Sequence, residues 1–246
     1  MFKDRSDAAQ QLAWRLMHYR GQHPLVLAIP RGAVPIAHRL AAALQGDLDV
    51  VLVHKLRAPF EDEVAIGAID ETGRTWLAPH AQEMGATAAY VDAERQRQLK
   101  VLRDRRLHCS AIHAPIPVAG RQVIVVDDGL ATGATMMAAL HALRARHPAR
   151  LVCAIPVASA DALAQVRPLA DEVVCLSVPA NFRGVGQFYE RFEQVSDEEV
   201  MALLHQRPLF SEGLSQSPPQ ANTSASVSKR PAASLAASKG AASSGH

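Results

Sequence analysis

The chain has 246 residues, a formal net charge of +2 and a hydrophobic fraction of 48%. This length and apolar content can bury one full core with a small appended lobe. A charge this close to neutral does not favour the class of dedicated nucleic-acid-binding domains, which are strongly basic. The chain contains no apolar run of the roughly 18 residues that a membrane helix needs, and its start lacks the apolar stretch of a signal peptide. We therefore expect a cytoplasmic protein without a membrane partner.

Short apolar runs recur along the chain and are continuous rather than alternating, which is typical of parallel strands covered on both faces. They are Leu25–Ile29, Val50–Val53, Val123–Val126, Leu151–Ile155 and Val173–Leu176. Helical periodicities lie between them, one from Ala9 to Met17 and another from Met136 to Leu143. This alternation predicts an α/β fold with a doubly wound, mostly parallel sheet.

The chain after the last strand divides into a helix and a tail. Ser196 with Glu199 has the capping-box spacing and predicts the start of a last helix. Residues 207–246 are rich in Ser, Ala and Pro and cannot bury enough surface to offset the entropy of ordering, so they predict a disordered tail. We therefore assign residues 1–206 to one folded domain.

Two groups of side chains leave alternatives open. Cys109, Cys153 and Cys175 lack CxxC pairing and are typical of reduced thiols, while His108, Cys109 and His113 fit no standard zinc pattern. The polar stretch from Thr87 to Arg106 contains Arg95, Arg97, Lys100, Arg103, Arg105 and Arg106. It is either a solvated helix face or a surface for phosphate or RNA.

The most informative segment runs from the apolar strand at Val123 into Asp127–Thr135, with the sequence DDGLATGAT. Gly133 and its small neighbours allow a close approach of backbone to a phosphate, and the following helix directs its N-terminus at that anion. Thr132 and Thr135 add hydroxyl donors. Each hydrogen bond to a charged group typically contributes about 1.5–3 kcal/mol.

Asp127 and Asp128 indicate what carries the phosphate. Beside a phosphate, each would repel it by about 4 kcal/mol at an effective dielectric of 20, so they must face something else. A ribose offers two hydroxyl donors and an anomeric centre that becomes cationic when its bond breaks. The segment thus predicts a ribose-5-phosphate site. It lacks the lysine of a nucleotide-hydrolase P-loop and the GxGxxG of a dinucleotide fold.

At these residues the chain resembles the signature for phosphoribosyl pyrophosphate (PRPP) of the type I phosphoribosyltransferases. The wider pattern is similar to bacterial predicted phosphoribosyltransferases of unestablished substrate. It comprises Ile29–Val34 (IPRGAV), His54–Pro59 (HKLRAP), Ala65–Ala68 (AIGA) and Phe182–Tyr189 (FRGVGQFY).

The resemblance implies specific roles for these residues. Gly129 and Ala131, Thr132, Gly133, Ala134 and Thr135 would hold the 5-phosphate, and Asp127 and Asp128 the ribose hydroxyls and, mainly through PRPP, magnesium. Arg31, Gly32 and Ala33 match a pyrophosphate loop. Lys55 to Glu63 match the start of a mobile loop, in which Lys55 and Arg57 would assist catalysis. Phe182, Phe188 and Tyr189 fall in an acceptor-binding hood at about residues 178–195.

The activity implied by the resemblance is that of a transferase of the glycosyltransferase class in nucleotide metabolism, which moves phosphoribosyl from PRPP to a nitrogenous acceptor. Ala131 stands where enzymes of 6-oxopurines usually carry an Asp, so we expect hypoxanthine and guanine to be poor acceptors. The alternative is a PRPP-sensing regulator or RNA-binding protein on the same fold. The sequence leaves open the acceptor, a homo-oligomeric state and the role of the tail.

Overall fold

The computed structural model describes residues 1–61, 64–110 and 114–206, and for residues 108–110 it describes the backbone alone. The predicted tail, His113 and the end of the loop predicted from Lys55 to Glu63 therefore lie outside the described residues. The strands are β1 (Leu25–Ala28), β2 (Asp47–Val50), β3 (Val53–Arg57), β4 (Ala65–Asp70), β5 (Thr75–Leu77), β6 (Gln122–Val126), β7 (Arg150–Val157) and β8 (Glu172–Ser177). The α-helices are α1 (Arg5–Arg15), α2 (Val34–Leu44), α3 (Ala88–Ser110), α4 (Ala134–Arg144), α5 (Ala160–Val166) and α6 (Asp197–His205).

The main sheet has five strands in the order β2-β1-β6-β7-β8, and every neighbouring pair is parallel. Alternate residues of β1 point to opposite faces: Val26 and Ala28 join the core that contains α1 and α2, and Leu25 and Leu27 join the core that contains α4. Helices thus cover both faces, which confirms the doubly wound α/β prediction.

A second sheet of three antiparallel strands, β3-β4-β5, follows β2 directly. The apolar run Val50–Val53 is therefore not one strand, because Val50 ends β2 and Val53 begins β3. Val51 and Leu52 between them are 4% and 3% exposed. A buried change of direction and a buried strand have the same apolar composition, so the sequence pattern could not separate them.

The predicted helices form where the periodicity placed them. Leu12 and Leu16 are fully buried, as are Met136 and Leu143 of α4. Ser196 caps α6, and its Oγ accepts a hydrogen bond from the Glu199 amide at 3.1 Å.

The polar stretch ending at Arg106 forms α3, which packs against β3 and β4 through residues such as the buried Leu102. Arg106 does not lie on a solvated face. Its guanidinium donates to both carboxylate oxygens of Glu71 and to Asp49 Oδ1, the latter at 3.1 Å. This arginine is part of a buried ion-pair network that joins α3 to β2 and to the end of β4.

Cys153 and Cys175 are free thiols, as predicted, and burial raises the pKa of Cys175 to about 11. The side chains of His108 and Cys109 lie outside the described residues. Over the described ranges, no helix combines the length and apolarity needed to cross a membrane.

Candidate active site

Two loops that are far apart in sequence meet at the carboxyl ends of the neighbouring strands β1 and β6. One is Pro30–Ala33, which leads into α2, and the other is Asp127–Gly133, which leads into α4. A Cβ atom added to Gly32 would lie 2.0 Å from Asp128 Oδ2, so only glycine allows the loops to approach this closely. The edge of a doubly wound sheet at the carboxyl ends of its strands is the usual ligand site of such folds.

The two carboxylates at the end of β6 have different environments. Asp128 Oδ2 accepts hydrogen bonds from Arg5 Nη2 at 2.9 Å and from Arg5 Nε at 3.3 Å. Asp127 Oδ1 accepts from the Asp128 amide at 2.9 Å. Burial, and secondly the charge of Asp128, raises the pKa of Asp127 well above its ordinary value. Burial also raises the pKa of Asp128, and Arg5 acts in the opposite direction.

Two hydrogen bonds fix the first part of the loop after the carboxylates. The Leu130 amide donates to the Val157 carbonyl at 2.9 Å, and Ser159 Oγ donates to the Ala131 carbonyl at 2.8 Å. Gly133 has φ of 73° in the left-handed region and precedes α4 as its N-cap. Ala131 and Thr132, which precede Gly133, are exposed, so the loop presents its backbone and a hydroxyl at a helix N-terminus.

A cavity of about 410 Å³ lies between the first of these loops, the start of α4 and the antiparallel sheet. Pro30 of the first loop and Thr135 of the first turn of α4 line it, together with Lys55 and Arg57 of β3. Both cations belong to a strand that pairs with β4, and Tyr90 Oη of α3 donates to the Arg57 carbonyl at 3.0 Å. Arg31 itself is half exposed, with Nη1 3.7 Å from a carboxylate oxygen of Asp197.

Residues 182–189 lie against the phosphate loop. A Cβ atom added to Gly129 would lie 2.5 Å from Val185 Cγ1, and Tyr189 Oη donates to the Asp128 carbonyl at 2.7 Å. Phe182 and Phe188 are partly buried and stack on each other with ring centroids 5.4 Å apart. The structure thus brings the predicted hood to the predicted phosphate site.

Tyr189 has a different place from the one the sequence suggested. Its ring is 5% exposed and packs between Phe2, at a centroid distance of 5.3 Å, and Phe192, at 4.9 Å. Tyr189 thus supports Asp128 through its hydroxyl and packs within the hood, and its contact with an acceptor stays a prediction. Phe182 and Phe188 stay the candidates for acceptor stacking.

Four further residues, to which the sequence assigned no role at the site, also reach it, although His54 begins the segment HKLRAP and Arg105 lies in the basic stretch of α3. Arg5 holds Asp128, and His54, Gln98 and Arg105 line the cavity. Arg5 and Asp128 are 123 residues apart, a separation at which no local pattern links two side chains.

The resemblance implies a magnesium ion, and the side chains at the site show whether they could help to bind one. Asp128 is paired with Arg5, so Asp127 is the carboxylate whose described neighbours include no cation. No cluster of three ligating side chains occurs among the described residues. Magnesium commonly keeps its waters and binds through one or two carboxylates plus substrate phosphates. These donors fit a magnesium ion that would be held mainly by PRPP oxygens, with help from Asp127.

Comparisons with known proteins show the family to which the chain belongs. Residues 4–192 match the family model described as the phosphoribosyl transferase domain. Two Mycobacterium tuberculosis proteins, of strains CDC 1551 / Oshkosh and ATCC 25618 / H37Rv, bear the name "putative phosphoribosyl transferase" and are 44% identical over 205 residues. That alignment covers 83% of this chain and 46% of each relative, so the chain spans about half their length.

The crystal structure of the protein TT1426 from Thermus thermophilus superimposes with a TM-score of 0.77. It is 43% identical in sequence, and the match covers 83% of this chain and 97% of that one. The range matched by the family model includes the phosphate loop and the main sheet. This chain belongs to the phosphoribosyl transferase domain family.

Proposed function

We propose that the protein transfers the 5-phosphoribosyl group of PRPP to a nitrogenous acceptor and releases pyrophosphate. The observation that carries this proposal is the shared cavity in which Thr135, Pro30, Lys55 and Arg57 come together. PRPP requires a phosphate cradle, ribose acceptors and cations for its pyrophosphate. The cavity supplies the cations, and Thr135 connects it to the segment that contains the proposed cradle. The proposed ribose acceptors at the end of β6 belong to that same strand–loop–helix segment but do not line the cavity.

In the proposed reaction the protein contributes positioning and electrostatics more than covalent chemistry. The backbone of residues 131–135 holds the 5-phosphate, and Asp127 accepts hydrogen bonds from the ribose hydroxyls. Its negative charge also stabilises the positive charge that develops at the anomeric carbon as the bond to pyrophosphate breaks. Lys55 and Arg57 offset the charge of the leaving pyrophosphate. Bound magnesium would neutralise the pyrophosphate oxygens further.

The proposal is tested first by binding. Magnesium-PRPP should raise the melting temperature of the full chain, because a ligand that binds only the folded state stabilises it. Asp127→Asn should abolish the shift. This single variant is preferable to one that also changes Asp128, because losing the Asp128 carboxylate would leave the largely buried Arg5 without its partner. An unchanged PRPP affinity in calorimetry of Asp127→Asn would show that the site is misplaced.

A second test concerns turnover and requires a screen of pyrophosphate release against nucleobases and simple amines. With an active acceptor, Lys55→Ala and Arg57→Ala should lower kcat more than PRPP affinity, because leaving-group charge is greatest in the transition state. Lys100→Ala on the exposed face of α3 is the control and should leave both quantities unchanged. Equal losses in affinity and kcat would contradict this role.

The alternative of a PRPP-sensing, RNA-binding regulator relied on the arginines of α3, and Arg106 among them is occupied by Glu71 and Asp49. The regulator would be favoured by PRPP-dependent RNA binding together with no pyrophosphate release from any acceptor.

A further inference from the structure

A chain of hydrogen bonds runs along one wall of the cavity, from α3 to β3 and back to α3. Glu94 Oε1 accepts from Gln98 Nε2 at 2.9 Å, and Gln98 Oε1 lies 2.7 Å from His54 Nδ1. Arg105 Nη1 lies 3.2 Å from His54 Nε2. His54, Gln98 and Arg105 all line the cavity, whereas Glu94 is 2% exposed behind them.

The groups at the two ends of this series of hydrogen bonds, Glu94 and Arg105, determine which atoms donate and which accept. An ionised Glu94 can only accept, so the Gln98 amide must turn its NH2 group to Glu94 and its oxygen to His54. His54 Nδ1 therefore carries the hydrogen, and its Nε2 is left as an acceptor. Arg105 has donors only and supplies the hydrogen that Nε2 accepts. In this arrangement His54 fixes the position of one guanidinium nitrogen of Arg105.

The charges at the cavity wall show what kind of group it can take. The charged residues that line it are Lys55, Arg57 and Arg105, and no carboxylate is among the lining residues described. Arg105 keeps further N–H donors beyond the one given to His54, in a planar fork that matches phosphate oxygens. Arg105 belongs to α3, which is none of the segments whose residues the sequence resemblance assigned to PRPP.

We propose that Arg105, positioned by His54, binds the pyrophosphate group of PRPP. This inference rests on the proposed function, because it assigns a further ligand to the leaving group of that reaction. His54 is a positioning residue, since it acts through the guanidinium that it holds. The helix α3 thereby becomes part of the PRPP site, although no signature segment falls on it.

The first experiment uses calorimetry of the full chain with two probes, magnesium pyrophosphate and ribose 5-phosphate. Arg105→Ala should weaken pyrophosphate about 10-fold to 100-fold, the loss typical of a hydrogen bond to a charged group, and leave ribose 5-phosphate unchanged. Arg105→Lys keeps the charge without the fork and should give an intermediate loss. Arg103→Ala, an exposed arginine two residues earlier that does not line the cavity, is the control and should change neither affinity.

A double-mutant cycle tests the part assigned to His54. His54→Ala should weaken pyrophosphate in the native background and have little further effect in Arg105→Ala, because its contribution passes through that arginine. Additive losses would overturn the positioning role. Native affinity in Arg105→Ala, or a loss confined to an anionic acceptor, would overturn the assignment while leaving PRPP binding intact. Failure of the native chain to bind PRPP would instead refute the proposed function.

Discussion

The carboxyl group of Asp127 lies in an environment that disfavours its ionised form. Burial and the neighbouring Asp128 raise its pKa well above the ordinary 3.8, so the folded protein keeps a proton that the unfolded chain releases. Between 3.8 and the raised pKa the folded state binds more protons, and the free energy of unfolding falls as pH rises through that interval. The ligand-free site is thus less stable in the ionised form that the proposed reaction uses.

We accordingly expect Asp127→Asn to raise the free energy of unfolding of the ligand-free protein near neutral pH while removing PRPP binding. A neutral side chain of the same shape escapes the cost of ionisation in this environment. Urea unfolding at several pH values would measure the change, which should shrink as the pH is lowered toward the ordinary pKa of 3.8. Asp161→Asn, an exposed carboxylate on α5, is the control and should not show this gain. A destabilised Asp127→Asn at neutral pH would contradict the argument.

Gly32 gives a second prediction for a single residue. In Gly32→Ala the new methyl group would meet the Asp128 carboxylate at 2.0 Å and Arg5 Nη2 at 3.4 Å. We expect a loss of about 1–3 kcal/mol in unfolding free energy, as for other overpacked sites, with weaker PRPP binding. Gly184→Ala is a matched control, because nothing lies within 4 Å of its added Cβ and its φ of 172° is extended backbone. Equal behaviour of the two variants would exclude a steric role for Gly32.

The residue at position 131 leads to a prediction about which bases the protein accepts. An alanine cannot exchange a proton with a 6-oxopurine, and general acid–base assistance typically contributes about 10²–10⁴-fold. We expect hypoxanthine and guanine to be poor acceptors for the native protein and Ala131→Asp to gain activity with them. Ala131→Asn has nearly the same size without a titratable group and should not gain it. Efficient nucleotide formation from either purine by the native protein would refute the expectation.

At the scale of elements, α3 connects the antiparallel sheet to the main sheet. Arg106 near its end donates to Asp49, the Val50 carbonyl and Glu71, and Asp49 Oδ2 also accepts from the Ile116 amide at 3.0 Å. Nearer the site, the hydrogen bonds of Tyr90 with Arg57 and of Gln98 with His54 attach the same helix to β3. The polar composition of α3 therefore reflects contacts with two sheets more than an exposed surface.

Arg106→Ala should lower the free energy of unfolding by about 3–5 kcal/mol, because it leaves the largely buried carboxylates of Asp49 and Glu71 without their cationic partner. Arg103→Ala on the same helix should change it by less than about 0.5 kcal/mol, as is usual for exposed sites. Denaturant unfolding of both variants gives the comparison. A near-native Arg106→Ala would mean that the network carries little stability.

For the whole molecule, the sequence predicted correctly those features that depend on residues close together in the chain. The phosphate loop, the capped α6 and the buried parallel strands are each encoded within a dozen residues, and the structure places them as expected. Predictions were weaker where distant segments meet. The contacts of Arg5 with Asp128 and of His54 with Gln98 span 123 and 44 residues, and the turn between β2 and β3 has the composition of a strand. The individual site roles stay predictions until the variants are measured.

Arg5 makes a second contact over an even longer separation, and this contact has a consequence for the protein while it is being synthesised on the ribosome. Arg5 Nη1 donates to the Glu193 carbonyl at 2.7 Å across a separation of 188 residues, and the same guanidinium holds Asp128. A ribosome adding about 5–20 residues per second makes Glu193 roughly 10–40 s after Arg5. During that time Arg5 can already pair with Asp128, but its guanidinium lacks the contact with the Glu193 carbonyl. Nascent chains that stall before Glu193 should therefore hold Asp128 less firmly and bind the ligand more weakly than the finished protein.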